Sequence, residues 1–378
     1  MTHRYREVPL TARTLITAGQ AVSCYFRTSV DSPHRKALIQ ICEPCNESCK
    51  HCFVSATKRG EYMPLDLIRG RLIPQLAEAR VNRVTLTGGE PFMHEDLVDV
   101  AAAFHDVGMD VGVCTNATIV TDEQMGHLAD MGAHMNVSLD GFSAHSHGVF
   151  RGRPEGFAET VETVKRFARS GILQGLLCTP NNLAEDEEYA RLCAFAREHG
   201  AKYVLMNPLG EMGRGAAKGA QKLRRPDDHM RHIAELTAPF ASEGLELVNI
   251  RFPNDDKPLS GCEAGTIIYV FTKGEVTVCP YLVFAARTKA SRHPDTDFIV
   301  GNVWEHEDIA ARLDAYRFHE RWTVGDNPTC GSCSLSDGCG KGCPAAVVAS
   351  GERIGAVDME LCPVVPRQTR VLPVVGVS

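Results

Sequence analysis

Residues 45–53 read Cys-Asn-Glu-Ser-Cys-Lys-His-Cys-Phe, which brings three thiols into one short stretch of chain. They follow residues 37–41, Ala-Leu-Ile-Gln-Ile, whose apolar side chains predict a buried β-strand. Three thiolates in one loop can bind three irons of a [4Fe–4S] cube and leave the fourth iron open to another ligand. Two other interpretations stay open at this point: a zinc site completed by Cys42, and thiols that only pack in the interior.

The composition is that of a globular protein with an unusual number of cysteines. The chain has 378 residues, a net charge of −7 and 15 cysteines, so two domains are expected. The first residues, MTHRYREVPL, lack a secretory signal, and no apolar run is long enough for a membrane helix. We therefore expect a cytoplasmic protein with reduced, metal-binding thiols and no membrane partner. The mild acidity argues against a nucleic-acid partner.

The middle of the chain alternates between strand-like and helix-like segments. Six segments have strand composition: 37–41, 82–87, 110–115, 133–139, 173–179 and 202–206. Segments with helical spacing separate most of them, so the pattern predicts βαβ units and a parallel sheet. In such α/β folds the chemistry lies at the carboxyl ends of the strands. The cysteine loop follows the first of these ends.

The pattern changes after residue 206. Residues 211–225 are predicted to form a loop, residues 227–242 a helix, and residues 251–258 a boundary. Beyond the boundary, residues 266–271 and 275–278 flank Thr272-Lys273-Gly274 and predict a β-hairpin. The remainder combines short elements with cysteines, so a second, cysteine-rich α+β domain is expected.

Further motifs stand in order at the ends of the predicted strands. They are Gly88-Gly89-Glu90-Pro91, Thr115-Asn116, Ser138-Leu139-Asp140-Gly141, Arg151-Gly152, and Asn207-Pro208 through Gly213-Arg214-Gly215. Together with the cysteine loop they span residues 37–215 and resemble the radical SAM superfamily. The resemblance implies a partial (β/α)6 TIM-like barrel as the core domain at 37–220. Residues 1–36 are then an N-terminal extension.

The resemblance also implies S-adenosylmethionine (SAM) and a role for each motif. Cys45, Cys49 and Cys52 would bind the catalytic [4Fe–4S] cluster, and Cys42 would be structural. Residues expected to bind SAM are Gly88, Gly89, Glu90, Asn116, Ser138, Asp140 and Arg151. Glycines allow the backbone to approach the amino acid part of SAM, and the polar side chains can bond its carboxylate and ribose. His51 stands where the family often has an aromatic residue.

The last third of the chain contains a second group of cysteines. Its central spacing is Cys330-x2-Cys333-x5-Cys339-x3-Cys343, for which a pair of zinc ribbons is the plainer interpretation. The pattern resembles the SPASM domain, which would occupy 259–378 after a bridging helix and linker at 221–258. That resemblance implies two auxiliary [4Fe–4S] clusters, three clusters in all. One would be held by Cys330, Cys333, Cys339 and Cys362, and the other by Cys262, Cys279 and Cys343.

The chain departs from this family pattern in two places. An expected cysteine shortly before Cys262 is absent, so the inner cluster's fourth ligand stays open between Asp255, Asp256, Cys24, substrate and water. Pro280 and Tyr281 follow Cys279, where sulfatase-maturing members carry an aspartate, which argues against that reaction. Tyr281 is either a substrate-pocket residue or an ordinary core residue.

The resemblance implies reductive cleavage of SAM to a 5′-deoxyadenosyl radical, which abstracts a substrate hydrogen atom. Dehydrogenation, crosslinking or epimerisation of a ribosomal peptide or other natural-product precursor is the favoured outcome, with Cys178 as a candidate hydrogen donor. A small molecule such as an amino sugar is the alternative substrate. A flavodoxin- or ferredoxin-type electron donor is expected, and a separate leader-peptide-binding protein, since only about 36 residues precede the first strand. The competing class is a non-enzymatic metal-stapled or electron-transfer protein.

Overall fold

The computed structural model describes residues 19–25 and 30–365. The N-terminal residues used above to argue against a signal, most of the 1–36 extension, and the end of the 259–378 region lie outside the described residues. In the part that is described, no helix is long and apolar enough to cross a membrane.

One ten-stranded sheet organises the chain. Its strands are β1 (Arg35–Cys42), β2 (Val81–Gly88), β3 (Asp110–Thr115), β4 (His134–Ser138), β5 (Leu173–Cys178), β6 (Tyr203–Met206), β7 (Glu246–Asn249), β8 (Ile267–Val270), β9 (Glu275–Thr277) and β10 (Ile299–Asn302). The spatial order is β10-β9-β8-β1-β2-β3-β4-β5-β6-β7, and β1 to β7 are all parallel. This is the α/β fold with a partial TIM-like barrel that the sequence predicts.

Helices cover the outside of the strands. They are α1 (Leu65–Leu67), α2 (Ile73–Glu78), α3 (Leu97–Asp106), α4 (Asp122–Asp130), α5 (Gly156–Arg169), α6 (Asp186–Glu198), α7 (Lys218–Gln221), α8 (Asp227–Thr237), α9 (Pro280–Ala286), α10 (Ile309–Tyr316), α11 (Phe318–Arg321), α12 (Pro328–Gly331) and α13 (Pro344–Ala349). A π-helical segment at Ile68–Leu72 joins α1 to α2. Local chemistry sets some ends: Thr121 and Gln124 form a reciprocal capping box at the start of α4.

The six strands predicted from composition correspond to β1 to β6, and the predicted hairpin is β8 and β9. Two features were not predicted. The edge strand β7 adds a seventh parallel strand beside β6, and β8 pairs in parallel with β1. The hairpin of the cysteine-rich region therefore continues the sheet of the core, and it lies directly beside the strand that leads into the first cysteine loop.

Alternate residues along the strands separate two environments. Ala37, Ile39 and Ile41 of β1 are fully buried in the apolar core beneath the helices. Lys36 and Leu38, on the other face of the same strand, line a cavity inside the barrel. Every second side chain along the strand therefore faces the interior of the barrel, where the predicted site lies.

Candidate active site

A cavity of about 390 Å³ occupies the inside of the barrel and extends to the carboxyl ends of its strands. This volume lies in the range of small-molecule and cofactor sites. All eleven residues predicted to act in catalysis or SAM binding line it: Cys45, Cys49, Cys52, Gly88, Gly89, Glu90, Asn116, Ser138, Asp140, Arg151 and Cys178. The motifs are far apart in sequence, and the parallel strands bring them to one edge of the sheet.

The three thiols of the first loop have surroundings suited to iron–sulfur ligation. Cys45 and Cys49 are buried, and Cys52 is half-buried. The backbone N–H of Glu47 donates to Cys45 Sγ over 3.4 Å, and Arg151 Nη1 lies 3.6 Å from Cys49 Sγ. Hydrogen bonds and positive charge directed at sulfur stabilise thiolates and tune the clusters that they hold. The donor set therefore fits a [4Fe–4S] cluster.

Close backbone packing fixes the cysteine loop from the β2 side. A Cβ atom on Gly89 would lie 2.1 Å from the carbonyl oxygen of Pro44, so only glycine fits at this position. The backbone N–H of Gly89 donates to the carbonyl of Cys42 at 2.9 Å, and that of Glu90 donates to Pro44 at 2.8 Å. Cys42 itself is fully buried and contacts the Glu90 carbonyl through Sγ at 3.2 Å. This contact agrees with the structural role expected for Cys42.

The loop after β6 fixes the cysteine loop from the opposite side. Arg214 donates to the Cys49 carbonyl from Nε and to the Ala56 carbonyl from Nη1. Its backbone N–H donates to the carbonyl of Cys52 at 3.0 Å. At Gly213, with φ +53°, a Cβ atom would lie 2.2 Å from the carbonyl oxygen of Phe53. The cysteine loop is thus held between β2 and the loop after β6.

Glu90 forms a buried acceptor at the end of β2. Its carboxylate accepts hydrogen bonds from Thr115 Oγ1 at 2.7 Å, the Asn116 N–H at 2.8 Å and the Phe92 N–H at 3.1 Å. Burial raises the pKa of Glu90 to about 7, and the hydrogen bonds act in the opposite direction. The side chain of Asn116 donates to Asn46 at 2.8 Å, which ties β3 to the cysteine loop.

Asp140, Arg151 and Glu47 form a buried ion network beside the cluster loop. Arg151 Nε donates to Asp140 Oδ2 at 2.7 Å, and Arg151 Nη1 donates to Glu47 Oε2 at 3.1 Å. Burial is the largest influence and acts to raise the pKa of Asp140. The charge of Arg151, together with smaller contributions that include the Thr179 N–H, outweighs burial, so this pKa lies below its ordinary value. Arg151 was predicted to bind SAM, and two of its guanidinium nitrogens, Nε and Nη1, already bond Asp140 and Glu47. Asp140 also accepts from the Thr179 N–H at 2.8 Å.

His51 is a neutral aromatic surface beside the three cysteines. Its ring stacks on Phe150 with 4.6 Å between centroids and an interplanar angle of 7°. Burial lowers the pKa of His51 to about 4, so the ring is uncharged at neutral pH. An imidazole therefore supplies here the flat apolar face that the family often takes from another aromatic residue.

Two buried polar atoms without partners lie on residues of the cavity wall. His51 Nδ1 and Asn207 Oδ1 have no hydrogen-bond partner within residues 19–25 and 30–365, and both residues line the cavity. Glu47 Oε1 is also without a partner there, but it faces Gly156, away from the lining residues. Buried polar groups are nearly always hydrogen-bonded, so the two atoms of the wall agree with a polar ligand in the cavity.

Cys178 and Tyr281 lie on the cavity wall. Cys178 ends β5 and is only 3% exposed. Tyr281 is in α9, where its ring stacks on Tyr25 at 4.6 Å between centroids and meets Phe53 edge-on at 5.0 Å. Pro280 is the first residue of the same helix. Both α9 residues line the cavity, so the element that follows Cys279 forms part of the site.

Four of the C-terminal cysteines form an outer group: Cys330, Cys333, Cys339 and Cys362. Cys362 lies close enough to the other three cysteines to be influenced by each of them. An N–H donates to each sulfur: Asn327 Nδ2 to Cys330, Leu335 N to Cys333, and Leu259 N to Cys339, each at 3.4 Å, and the Val364 N–H to Cys362. The arrangement fits a cluster held by four thiolates.

The other three predicted ligands, Cys262, Cys279 and Cys343, line a small pocket beside the barrel. A backbone N–H donates to each: that of Ala264 to Cys262, that of Leu282 to Cys279, and that of Ala346 to Cys343. Ile267 belongs to the walls of both this pocket and the large cavity. No three Cys, His, Asp or Glu side chains of the described residues converge closely enough to hold a single metal ion.

The fold and the thiol-rich cavity at its strand ends define the class as an iron–sulfur enzyme of the TIM-like barrel type. Residues 39–193 match the family model described as radical SAM superfamily. Residues 39–193 thus form a radical SAM domain, and the chain is a SAM-dependent enzyme with a [4Fe–4S] cluster. The alternative of a non-enzymatic metal protein is thereby wrong.

Individual relatives agree with this assignment. The chain is 28% identical over 348 residues to the mycofactocin maturase MftC of Mycolicibacterium smegmatis, covering 84% of this chain and 79% of that protein. It is 25% identical over 296 residues to an AdoMet-dependent heme synthase of Methanosarcina barkeri, covering 71% and 81%. The crystal structure of Streptococcus suis SuiB bound to precursor peptide SuiA superimposes with a TM-score of 0.66 and 18% identity, covering 86% and 75%.

Three contributors to the site were not among the residues predicted to act there. Glu47 lies inside the cysteine motif, Asn207 begins the last motif, and Arg214 stands between its glycines. A signal existed for each, since all three lie in motifs already quoted. The contacts of Glu47 and Arg214, however, join segments separated by more than 100 residues, and spacing along the chain does not identify such pairs.

Proposed function

We propose that this enzyme oxidises a peptide substrate in a SAM-dependent reaction, giving a dehydrogenated or crosslinked product. The observation that carries the proposal is the position of the large cavity between two other spaces. It adjoins the pocket of Cys262, Cys279 and Cys343 through Ile267. It shares the wall residue Tyr25 with a second pocket of about 370 Å³, which we call the groove. The first neighbour suits an electron acceptor, and the second suits an extended substrate.

The groove supports a peptide over a compact small molecule. Its walls come from the segment after β6 and from the cysteine-rich region, with Glu211, Arg225 and Met359 among the lining residues. A groove that adds length to a cavity allows a chain to reach the reacting atoms while its flanks stay bound outside. The similarity to a maturase and to a structure with a bound precursor peptide agrees with this reading. The heme synthase relative favours a small molecule, which is therefore the alternative tested below.

Within the large cavity, each motif has a proposed task. Cys45, Cys49 and Cys52 hold the catalytic cluster. Gly88, Gly89, Glu90, Asn116, Ser138, Asp140 and Arg151 surround SAM, with the glycines giving backbone access and Asp140 keeping Arg151 in place. When bound, SAM and the clusters would supply the redox chemistry, namely reductive cleavage of SAM for hydrogen-atom removal from the substrate and an acceptor for the remaining electron. The substrate then releases a proton to solvent.

Two auxiliary [4Fe–4S] clusters are part of the proposal. The outer one takes Cys330, Cys333, Cys339 and Cys362, and the inner one takes Cys262, Cys279 and Cys343. Boundaries at 37–220, 221–258 and 259–378 remain proposed limits for the core, the bridge and the auxiliary region. A flavodoxin- or ferredoxin-type protein is the proposed donor, and a separate leader-binding protein is a proposed partner for peptide delivery.

A redox-neutral reaction is the second candidate, because a thiol stands on the cavity wall. Cys178 is buried at the end of β5 and can return a hydrogen atom to a substrate radical. That reaction would epimerise the substrate and leave a thiyl radical on Cys178. One electron from the proposed flavodoxin- or ferredoxin-type donor and one proton from solvent would restore the thiol, and no auxiliary acceptor would be needed. The pocket beside Ile267 favours the oxidation instead.

Co-expression and mass spectrometry test these alternatives. The full chain is expressed with each short open reading frame beside its gene, in light and in deuterated water, and the peptides are analysed. Oxidation predicts loss of the mass of two hydrogen atoms. Unchanged composition with deuterium gained, abolished by Cys178→Ala, would establish epimerisation instead. The triple variant Cys45→Ala/Cys49→Ala/Cys52→Ala is the control and should give neither change. Unmodified peptides, together with 5′-deoxyadenosine formed only on addition of small-molecule extracts, would refute the peptide assignment.

A further inference from the structure

We infer that Cys24 is the fourth thiolate ligand of the inner auxiliary cluster, which would then have no open iron. The inference rests on the proposed auxiliary clusters and completes one of them. Cys24, Cys262, Cys279 and Cys343 all line the same small pocket. They come from four separate chain segments, and Cys24 precedes Cys262 by more than 200 residues. A set of four thiols is the usual ligand set of a [4Fe–4S] cluster.

Cys24 lies next to the other three thiols. It shares the walls of one small pocket with Cys262, Cys279 and Cys343, and these three are the cysteines that influence its thiol. A [4Fe–4S] cluster takes one thiolate at each of its four irons, which matches a group of four neighbouring thiols.

The backbone before Cys24 is fixed by residues 258–260. The N–H of Ala21 donates to the Pro258 carbonyl at 2.8 Å, and the N–H of Ser260 donates to the Ala21 carbonyl at 2.9 Å. Ser23 Oγ donates to the carbonyl of Ser260 at 2.8 Å. Residues 21–23 therefore run beside residues 258–260, just before Cys262, and direct Cys24 toward the pocket.

Arg251 holds the chain on both sides of Cys24. The N–H of Arg251 donates to the Val22 carbonyl at 2.8 Å, and Arg251 Nη1 donates to the Ser23 carbonyl at 2.9 Å. The guanidinium of Arg251 lies over the ring of Tyr25 at 5.1 Å. It also forms a two-point ion pair with Asp358, which accepts from the Cys343 N–H at 3.0 Å. One buried arginine thus positions both Cys24 and Cys343.

The two aspartates considered as oxygen ligands lie elsewhere. Asp255 is exposed and pairs with Arg231, with contacts of 3.1 and 3.2 Å. Asp256 is also exposed, and neither residue lines the pocket. Asn254, at the start of the same turn, is buried and bonds the carbonyl of Lys257 at 2.7 Å. The turn is closed on itself and directs its carboxylates to solvent.

One further potential ligand lines the same pocket. Glu263 lines the pocket, and its Oε2 atom is buried without a hydrogen-bond partner among the residues that the structure describes. A buried polar atom without a partner is costly. Glu263 is therefore the one rival ligand from this pocket, and the experiment separates it from Cys24.

The test uses the full chain carrying Cys45→Ala/Cys49→Ala/Cys52→Ala, which removes the open iron of the catalytic cluster. This parent is reconstituted anaerobically and is expected to hold about eight irons. Cys24→Ala, Cys24→Ser, Glu263→Gln and Cys193→Ala are added singly, the last as a buried cysteine of α6 away from both thiol groups. Iron and sulfide are counted, and electron paramagnetic resonance (EPR) spectra of the reduced protein are recorded with and without cyanide, which binds open irons.

We expect that cyanide does not change the EPR spectrum of the two auxiliary clusters in the parent protein. Each Cys24 variant should gain a cyanide-sensitive signal or fall to about four irons, with the outer cluster intact as evidence of folding. Glu263→Gln and Cys193→Ala should behave as the parent. A cyanide-sensitive parent, Cys24 variants identical to Cys193→Ala, or an effect of Glu263→Gln alone would overturn the assignment of Cys24. A parent that binds zinc or only about four irons would refute the proposed inner cluster itself, and Cys24 with it.

Discussion

Arg214 Nε donates a hydrogen bond to the carbonyl oxygen of Cys49 at 2.9 Å. A residue in the loop after β6 therefore holds the cysteine loop that follows β1. Its Nη1 and its backbone N–H bond two further carbonyls of that loop, those of Ala56 and Cys52. A planar guanidinium can make these separate bonds at fixed angles, whereas an ammonium cannot. The geometry of the three cluster thiols therefore depends on a side chain more than 150 residues away.

Replacing Arg214 by Lys should loosen the catalytic cluster without unfolding the barrel. Each buried carbonyl that loses its donor costs about 1–3 kcal/mol locally. We expect iron from this site to be extracted by a chelator several times faster than in the wild type, while auxiliary iron is released at an unchanged rate. Arg169→Lys is the matched control, since Arg169 is an exposed residue at the end of α5. Equal release rates in both variants would show that Arg214 does not support the cluster loop.

Gly89→Ala should disrupt the approach of β2 to the cysteine loop. The added methyl group would lie 2.1 Å from the Pro44 carbonyl oxygen and close to the Glu43 carbonyl, and backbone cannot yield as a flexible side chain can. We expect SAM binding measured by equilibrium dialysis to fall at least tenfold, with a lower iron content. Gly126→Ala is the control, because this exposed glycine in α4 has open space around it and should gain about 1 kcal/mol of helix stability. Normal SAM binding by Gly89→Ala would contradict the proposed role of this glycine.

The sequence predicts the helices and strands whose determining residues are close together in the chain. Strands β1 to β6 have compact apolar runs, and the capping of α4 by Thr121 and Gln124 lies within four residues. The edge strand β7 was missed because Glu-Leu-Val-Asn is short and partly exposed, so it has no clear apolar period. The pairing of β8 with β1 was also missed, since the register between two strands about 230 residues apart is set only by tertiary packing.

The candidate site follows the same division. The residue types of the motifs and their order along the chain were enough to predict the cavity residues. Each motif follows its own strand, and the parallel strands end at the same edge of the sheet. The hydrogen-bond partners of those residues could not be predicted from the sequence. Arg151 was assigned to SAM, yet its Nε and Nη1 bond Asp140 and Glu47. Cys24 could be named only as one of several ligands, because its position depends on the pairing of Ala21 with Leu259.

Arg151→Met should destabilise the fold and change its pH dependence. The variant leaves Asp140 and Glu47 buried without their counter-charge, a change that typically costs about 3–5 kcal/mol. Without Arg151 the pKa values of both carboxyl groups rise, so protonation at lower pH relieves the cost. We expect the melting temperature to fall more at pH 8 than at pH 6, measured anaerobically by scanning fluorimetry. Arg169→Met is the exposed control, and a loss of SAM binding with unchanged stability would instead indicate a direct ligand role.

Ionisation of Glu90 should lower the free energy of unfolding of the wild type as the pH rises. Burial raises the pKa of Glu90 from 4.5 to about 7, so between these values the folded state binds more protons than the unfolded state. Stability is therefore lost across that window as the pH rises, by roughly 3 kcal/mol in total. Glu90→Gln is neutral at every pH, so its melting temperature should gain on that of the wild type between pH 5.5 and pH 8. Glu162→Gln, which changes an exposed carboxylate of α5, should keep the wild-type slope. Parallel curves for the wild type and Glu90→Gln would show that Glu90 is ionised throughout this range, and that the donors from Phe92, Thr115 and Asn116 outweigh its burial.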